Sequence, residues 1–142
     1  MLGDYMCVNG VHKVFRSEGT TSFRLRILNG SNARIYDLAL THALPFPLIG
    51  TDCGLLDQSH SIDSLTLAPG ERADVLVNFS QQKINTVVDL IDKNNNDQRL
   101  LQFLIEKKLD DDFTLPKNFQ PWRKSPPKQP SKPESFNCQA GE

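Results

Sequence analysis

Cysteine, histidine, methionine and tryptophan are scarce in this chain. Its 142 residues include three cysteines, three histidines, two methionines and one tryptophan. Three cysteines with this spacing give neither a disulfide framework nor an obvious zinc site. The apolar runs are too short to cross a bilayer, so no membrane span is predicted. The formal net charge of -1 gives no electrostatic reason to expect a nucleic-acid partner.

Motifs for nucleophilic or phosphate chemistry are also missing. The sequence contains no Gly-x-Ser-x-Gly elbow, no phosphate loop, and no serine or cysteine with a motif-spaced histidine. The aspartates at 110–112 lack the spacing of a calcium-binding loop and are typical of a solvated segment. We therefore predict no catalytic residue and no cofactor-binding residue in this chain.

A blue-copper site needs two imidazoles and a thiolate on neighbouring loops, usually with a weak axial ligand. No cysteine here is followed by the necessary histidine and methionine, and the three histidines are too isolated to form the His-x-His pairs of a coupled copper cluster. The sequence therefore predicts no metal ligand. The cysteine-containing candidates that lack a full ligand set are Cys7 with Met6 and His12, Cys53 with His60, and Cys138.

The composition changes after Lys107, because six of the nine prolines lie beyond it. Such a stretch buries too little apolar surface to offset the entropy of ordering, so 108–142 is predicted to be a tail, partly disordered or draped on the surface. Its aromatic residues would pack across the domain or dock onto a domain absent from the chain. The start of the chain has no signal-peptide pattern, which suggests a cytoplasmic protein or a piece of a longer one. The aromatic residues are Phe113, Phe119 and Trp122.

The remainder of the chain is typical of short strands. Residues 22–28 alternate apolar and basic side chains, and Asn9-Gly10 and Pro69-Gly70 are tight-turn signals. Short strands separated by such turns predict an antiparallel β-sandwich or barrel. The predicted strands are 5–8, 11–15, 22–28, 34–40, 46–51, 64–67, 72–79, 87–91 and 100–106.

Two local patterns carry further predictions. The triplets at 29–31 and 78–80 match the acceptor pattern for N-glycosylation, which would matter only in a eukaryotic secretory route. Charges of both signs occur on neighbouring predicted strands, so we expect Asp74 to pair with Arg34 or Arg26 and fix the strand register.

Two longer segments resemble the middle domain of multicopper oxidases. Residues 23–36 (FRLRILNGSNARIY) are similar to its strand–turn–strand, and residues 65–79 (LTLAPGERADVLVNF) to its Pro-Gly-Glu-Arg hairpin. The stretches 49–56 and 4–10 also follow the family pattern, except that Cys53 stands where the family more often has glycine. The residues that carry the two motifs are Arg24, Arg26, Asn29, Gly30, Arg34, Pro69, Gly70, Glu71, Arg72 and Asp74.

The resemblance implies an all-β, cupredoxin-like Greek-key β-sandwich over 3–107 with a proline-rich C-terminal tail. It implies the second of three domains, whose partners are the flanking first and third domains. In the family, copper sits in the third domain and between the first and third, so copper is expected in the parent protein and none in this chain.

For the parent, the resemblance implies oxidation of phenols or metal ions coupled to reduction of dioxygen to water, in the periplasm or outside the cell. The fragment alone is expected to be inactive. One alternative is a copper-free periplasmic relative that acts as an interaction module in cell division. Another is that the chain is itself a small copper protein.

Overall fold

The computed structural model describes residues 5–116, 118 and 119. Two single-turn 3-10 helices, Thr41–Ala43 and Lys93–Asn95, interrupt an otherwise β-stranded chain. The strands are β1 (Cys7–Val8), β2 (Val11–His12), β3 (Val14–Gly19), β4 (Ser22–Leu28), β5 (Tyr36–Leu40), β6 (Phe46–Thr51), β7 (Gly54–Ile62), β8 (Leu65–Leu67), β9 (Arg72–Asn78), β10 (Val87–Asp92) and β11 (Gln98–Lys107).

These strands form two packed sheets and one small hairpin. The first sheet has the order β3-β11-β10-β5-β8, and the second has the order β4-β9-β6-β7. β3 runs parallel to β11, whereas the other pairings are antiparallel. β1 and β2 form the separate hairpin. The all-β sandwich predicted from the sequence is thereby confirmed.

The core lies between the sheets and follows from the alternation along the strands. On β9, Ala73, Val75 and Val77 are buried within it. The Phe79 ring follows β9, and its centroid lies 5.2 Å from that of Phe103 on the first sheet. The other buried members of this core are Leu38, Leu40, Phe46, Leu65, Leu67, Val88, Leu90, Leu101 and Ile105.

The structure contains one strand that the sequence did not predict. β7 lies at an edge of the second sheet, and none of its nine residues is buried. The residues of β7, GLLDQSHSI, show no apolar alternation, so only its pairing with β6 reveals it. The predicted strand 11–15 is also divided, because Lys13 has a left-handed φ of 56° that separates β2 from β3.

Candidate functional site

The two resemblance motifs meet at a buried asparagine. Asn29 follows β4 and is 2% exposed. Its Nδ2 donates to the carbonyl oxygens of Arg34 (2.8 Å) and Leu67 (2.9 Å). Its Oδ1 accepts from the amide (3.0 Å) and the hydroxyl (2.7 Å) of Ser31. One side chain therefore holds the turn after β4 and connects it to β8.

Backbone bonds complete this connection. The amide of Asn29 donates to the Glu71 carbonyl (3.0 Å), and the amide of Gly70 donates to the Asn29 carbonyl (2.8 Å). The Glu71 carboxylate accepts from the Ala68 amide (2.7 Å). Gly70 has a φ of +86°, which favours glycine there. We call residues 29–34 together with 68–71 the turn junction, and its contacts are structural.

The turn junction buries the asparagine of the acceptor triplet at 29–31. The acceptor triplet at 29–31 requires an accessible amide, but the Asn29 amide is buried and fully hydrogen-bonded. A glycan could not be attached there without breaking the junction. In the other triplet, Asn78 is exposed and its Oδ1 accepts from the Ser80 amide at 2.7 Å.

The motif charges form ion pairs on the surface of the second sheet. The Asp74 carboxylate binds Arg24, so the prediction of Arg26 or Arg34 as its partner is wrong. Arg26 is directly opposite Asp74 in register. Arg24 is the diagonal neighbour on the same face, and an arginine side chain is long enough to span that diagonal. Nearby, Arg72 Nε lies 2.8 Å from Asp52 Oδ1. Hydrogen bonds from Arg72 lower the pKa of Asp52.

Cys53 lies in the exposed turn between β6 and β7. The left-handed conformation in this turn belongs to its neighbour Gly54, whose φ is +111°. The cysteine that departs from the family pattern therefore occupies a position where a side chain is accommodated in solvent.

A cleft of about 630 Å³ opens between the edge strands β3 and β4. Its floor contains leucines of the core, among them Leu38 and Leu101, and its lining includes Tyr5 and Tyr36. Burial raises the pKa of Tyr36, while the charge of Arg34 opposes that rise. The apolar floor, with the Tyr36 phenol at its side, can hold an apolar chain segment or an apolar ligand. The described lining residues do not form a pair of acidic and basic groups for acid–base catalysis.

The structure separates most of the groups considered as metal ligands. Cys53 lies in the turn and His60 lies within β7, opposite Leu48. His42 Nε2 is 3.0 Å from the Val87 carbonyl, and Cys138 is outside the described residues. Among residues 5–116, 118 and 119 there is no group of three or more His, Cys, Asp or Glu side chains that could hold a metal. Cys7 and His12, however, are directly opposite each other on β1 and β2.

One buried charged residue escaped the sequence analysis. Asp92 is 0% exposed, and its Oδ1 accepts from the amides of Asp37 (3.0 Å) and Asn94 (3.1 Å). The sequence does contain an indication of this role, because an aspartate closely followed by asparagines, here 92–96 (DKNNN), is typical of a capped turn. Asp92 caps the Lys93–Asn95 helix and ties it to β5.

The described residues after β11 hydrogen-bond to both edges of the second sheet. We call the described residues 108–116, 118 and 119 the strap. Thr20 Oγ1 accepts from the Leu109 amide (2.8 Å), and the Ser22 amide donates to Asp111 Oδ2 (2.6 Å). At the opposite edge, the Phe119 amide donates to the Asp57 carbonyl of β7 (2.7 Å).

Two residues of the second sheet are buried outside the main core. Ile49 and Leu76 are 5% and 8% exposed but do not belong to the cluster between the sheets. Leu76 alternates with Val75 and Val77 on β9, so it faces the outside of the second sheet. Phe119 is half-buried, Phe113 is 51% exposed, and Trp122 lies outside the described residues.

Solved multicopper oxidases share this arrangement. The chain aligns with the McoA multicopper oxidase of Aquifex aeolicus at a TM-score of 0.78 and 33% identity, and with a multicopper oxidase of Pediococcus acidilactici at 0.75 and 38%. Each alignment covers 82% of this chain, and 28% and 24% of the two oxidases. The chain therefore has the structure of a cupredoxin-like domain of the multicopper oxidase type, as the resemblance implied.

The curated relatives have a different name. The chain is 50% identical over 80 residues to cell division protein FtsP of Xenorhabdus nematophila, and 46% identical over 80 residues to FtsP of Edwardsiella tarda. These matches cover 56% of this chain and 17% of each relative, so the chain spans only a small part of the proteins it matches. No family model matches the chain. Within the described residues, no helix is long and apolar enough to cross a membrane.

Proposed function

We propose that this chain is the second of three cupredoxin-like domains in a larger protein, where it spaces and holds the flanking first and third domains. The observation that carries the proposal is the turn junction. There, the motif residues Asn29, Gly70 and Glu71 form hydrogen bonds within the fold. The motifs most typical of the family thus serve the architecture of this domain. Redox chemistry belongs to the other domains, and the domain alone is inactive.

The parent protein is then an oxidase that takes electrons from phenols or metal ions and reduces dioxygen to water. The similarity to multicopper oxidases of Aquifex aeolicus and Pediococcus acidilactici supports this assignment. In such a parent, the copper ions belong to the flanking domains. The parent would act in the periplasm or outside the cell.

A second candidate is a copper-free parent that acts as a periplasmic interaction module in cell division. It is favoured by the curated relatives, since this chain is 50% and 46% identical over 80 residues to two proteins named cell division protein FtsP. The spacing role of this domain is the same in both candidates, because it depends on the fold and not on copper.

Titration of the 142-residue chain with Cu(II) tests the role of the domain. We expect no intense blue absorption, since the described residues lack the two-imidazole, one-thiolate set of a type 1 site. One tightly bound Cu(II) per chain with an intense blue band would overturn the proposal. It would support a small copper protein instead.

The parent is tested with the full-length protein that contains this chain. The oxidase assignment predicts several copper ions per molecule and dioxygen consumption with a phenol or Cu(I) as electron donor. A full-length protein without copper and without oxygen consumption, but bound to division proteins in a pull-down from periplasm, would overturn the oxidase assignment and support the second candidate.

A further inference from the structure

The hairpin outside the two sheets places a cysteine and a histidine opposite each other in register. Asn9 and Gly10 form its two-residue turn, with φ values of 51° and 79°. In such a hairpin the pair beside the turn, Val8 and Val11, is the hydrogen-bonded one. Cys7 and His12 are the next pair and therefore take the closer, non-hydrogen-bonded position. Side chains there share one face, with Cβ atoms about 4.5–5.5 Å apart.

The hydrogen bond of His12 determines which ring nitrogen is available. His12 Nδ1 lies 3.0 Å from the carbonyl oxygen of Met6. A carbonyl can only accept, so Nδ1 carries the proton and Nε2 has a free lone pair. The Tyr5 ring meets the imidazole edge-on, with centroids 5.5 Å apart. Metal-binding histidines are commonly oriented by a backbone carbonyl in this way.

We propose that Cys7 Sγ and His12 Nε2 form a two-coordinate site for a soft monovalent cation, Cu(I) or Ag(I). Both residues are exposed, and Cys7 is a free thiol. Thiolate is a soft ligand and imidazole binds copper well, whereas hard cations require several oxygen ligands. On binding, the sulfur–metal bond replaces the S–H bond and the proton passes to solvent. The cation keeps its oxidation state.

This site differs from a cupredoxin copper centre in position and chemistry. It lies on the β1–β2 hairpin, outside the sandwich, and uses one imidazole instead of two. A two-coordinate Ag(I) complex has no blue band, so the outcome here is independent of the Cu(II) titration that tests the spacing role.

The experiment uses Ag(I) with two matched single-thiol forms of the 142-residue chain. In the first, Cys53→Ser and Cys138→Ser leave Cys7 as the only thiol. In the second, Cys7→Ser and Cys138→Ser leave Cys53, an exposed thiol without an opposing histidine. Affinities are measured by competition with a chelator, in each form with and without His12→Gln.

We expect His12→Gln to weaken Ag(I) binding at least about tenfold in the Cys7 form and to leave the Cys53 form unchanged. The side-chain ¹⁵N resonance of His12 Nε2 should shift on binding, while that of Nδ1 keeps the character of a protonated nitrogen. Equal affinities with and without His12→Gln in the Cys7 form, or an unshifted Nε2 resonance, would overturn the site. Because both side chains are exposed, unchanged unfolding midpoints should confirm that the variants are folded.

Discussion

At the scale of single residues, Asn29 has the greatest structural role of the motif positions. Its amide makes the two donations and two acceptances described above, all inside the protein. An amide bonded in this way is costly to remove, because the partners left behind are cut off from water. The sequence marked Asn29 as part of a family motif. Only the structure shows that its side chain joins the turn after β4 to Leu67 of β8, which is 38 residues further along the chain.

Replacing Asn29 with alanine should lower the free energy of unfolding by about 2–3 kcal/mol, because buried carbonyls lose their donors. Urea denaturation measures the change. The exposed neighbour Asn32 provides the control, and Asn32→Ala should stay within about 0.5 kcal/mol of the parent chain. Equal effects at the two positions would contradict the structural role of Asn29.

The ion pair of Asp74 gives a second prediction at this scale. A double-mutant cycle with Arg24→Gln and Asp74→Asn should give a coupling of about 0.5 kcal/mol, modest because the Arg24 side chain is 42% exposed and screened. The matched cycle with Arg26→Gln should give a smaller coupling, because Arg26 lies opposite Asp74 in register but forms no ion pair with it. A larger coupling for Arg26 would restore the partner expected from the sequence.

At the scale of elements, the strap hydrogen-bonds to the edge strand β7. β7 is an edge strand with no buried residue, and its free side accepts a hydrogen bond from the Phe119 amide. Edge strands with free backbone groups invite pairing with other chains, and cover by a segment of the same chain reduces that hazard. The first anchor of the strap is also close-packed, since a Cβ on Gly19 would approach Leu109 Cδ1 to 2.3 Å.

The first anchor should depend on pH through Asp111. Hydrogen bonds from Ser22 and Phe113 lower the pKa of Asp111. Because the pKa is lowered in the folded protein, ionised Asp111 stabilises the fold fully above the unfolded-state pKa of about 3.9. This stabilisation is lost as the pH falls through the folded-state pKa. The amide resonances of Ser22 and Phe113 should therefore titrate together, with a midpoint below that of an ordinary aspartate.

Two controls test whether Asp111 causes this titration. Asp111→Asn should abolish it, and the amide of Ser31, which donates to the uncharged side chain of Asn29, should not follow it. A midpoint at or above the ordinary value, or a titration that persists in Asp111→Asn, would contradict the anchor.

At the scale of the whole molecule, aromatic packing unites the two sheets. Phe79 contacts Phe103 across the interface, and on its own side it also approaches Phe23 of β4, with ring centroids 5.9 Å apart. Because this core draws side chains from both sheets, neither sheet can keep its apolar face covered without the other. The domain should therefore unfold as one unit.

Phe103→Ala should lower the free energy of unfolding by about 3–5 kcal/mol, because Phe103 is 1% exposed and its removal leaves a cavity. Hydrogen exchange should show protection falling in both sheets together. Phe15→Ala is the control, since that ring is 53% exposed and its loss should cost within about 0.5 kcal/mol. Loss of protection confined to the first sheet would show that the sheets open separately.

The sequence by itself determined the strands whose apolar residues alternate, the turns set by Asn-Gly and Pro-Gly, and the likeness to the multicopper oxidase middle domain. Those features are local, because periodicity and turn chemistry act over a few residues. Only the tertiary structure decided what depends on register and on distant neighbours. β7 forms because β6 offers it an edge, Asp74 reaches Arg24 diagonally, and Asn29 binds the Leu67 carbonyl across the fold.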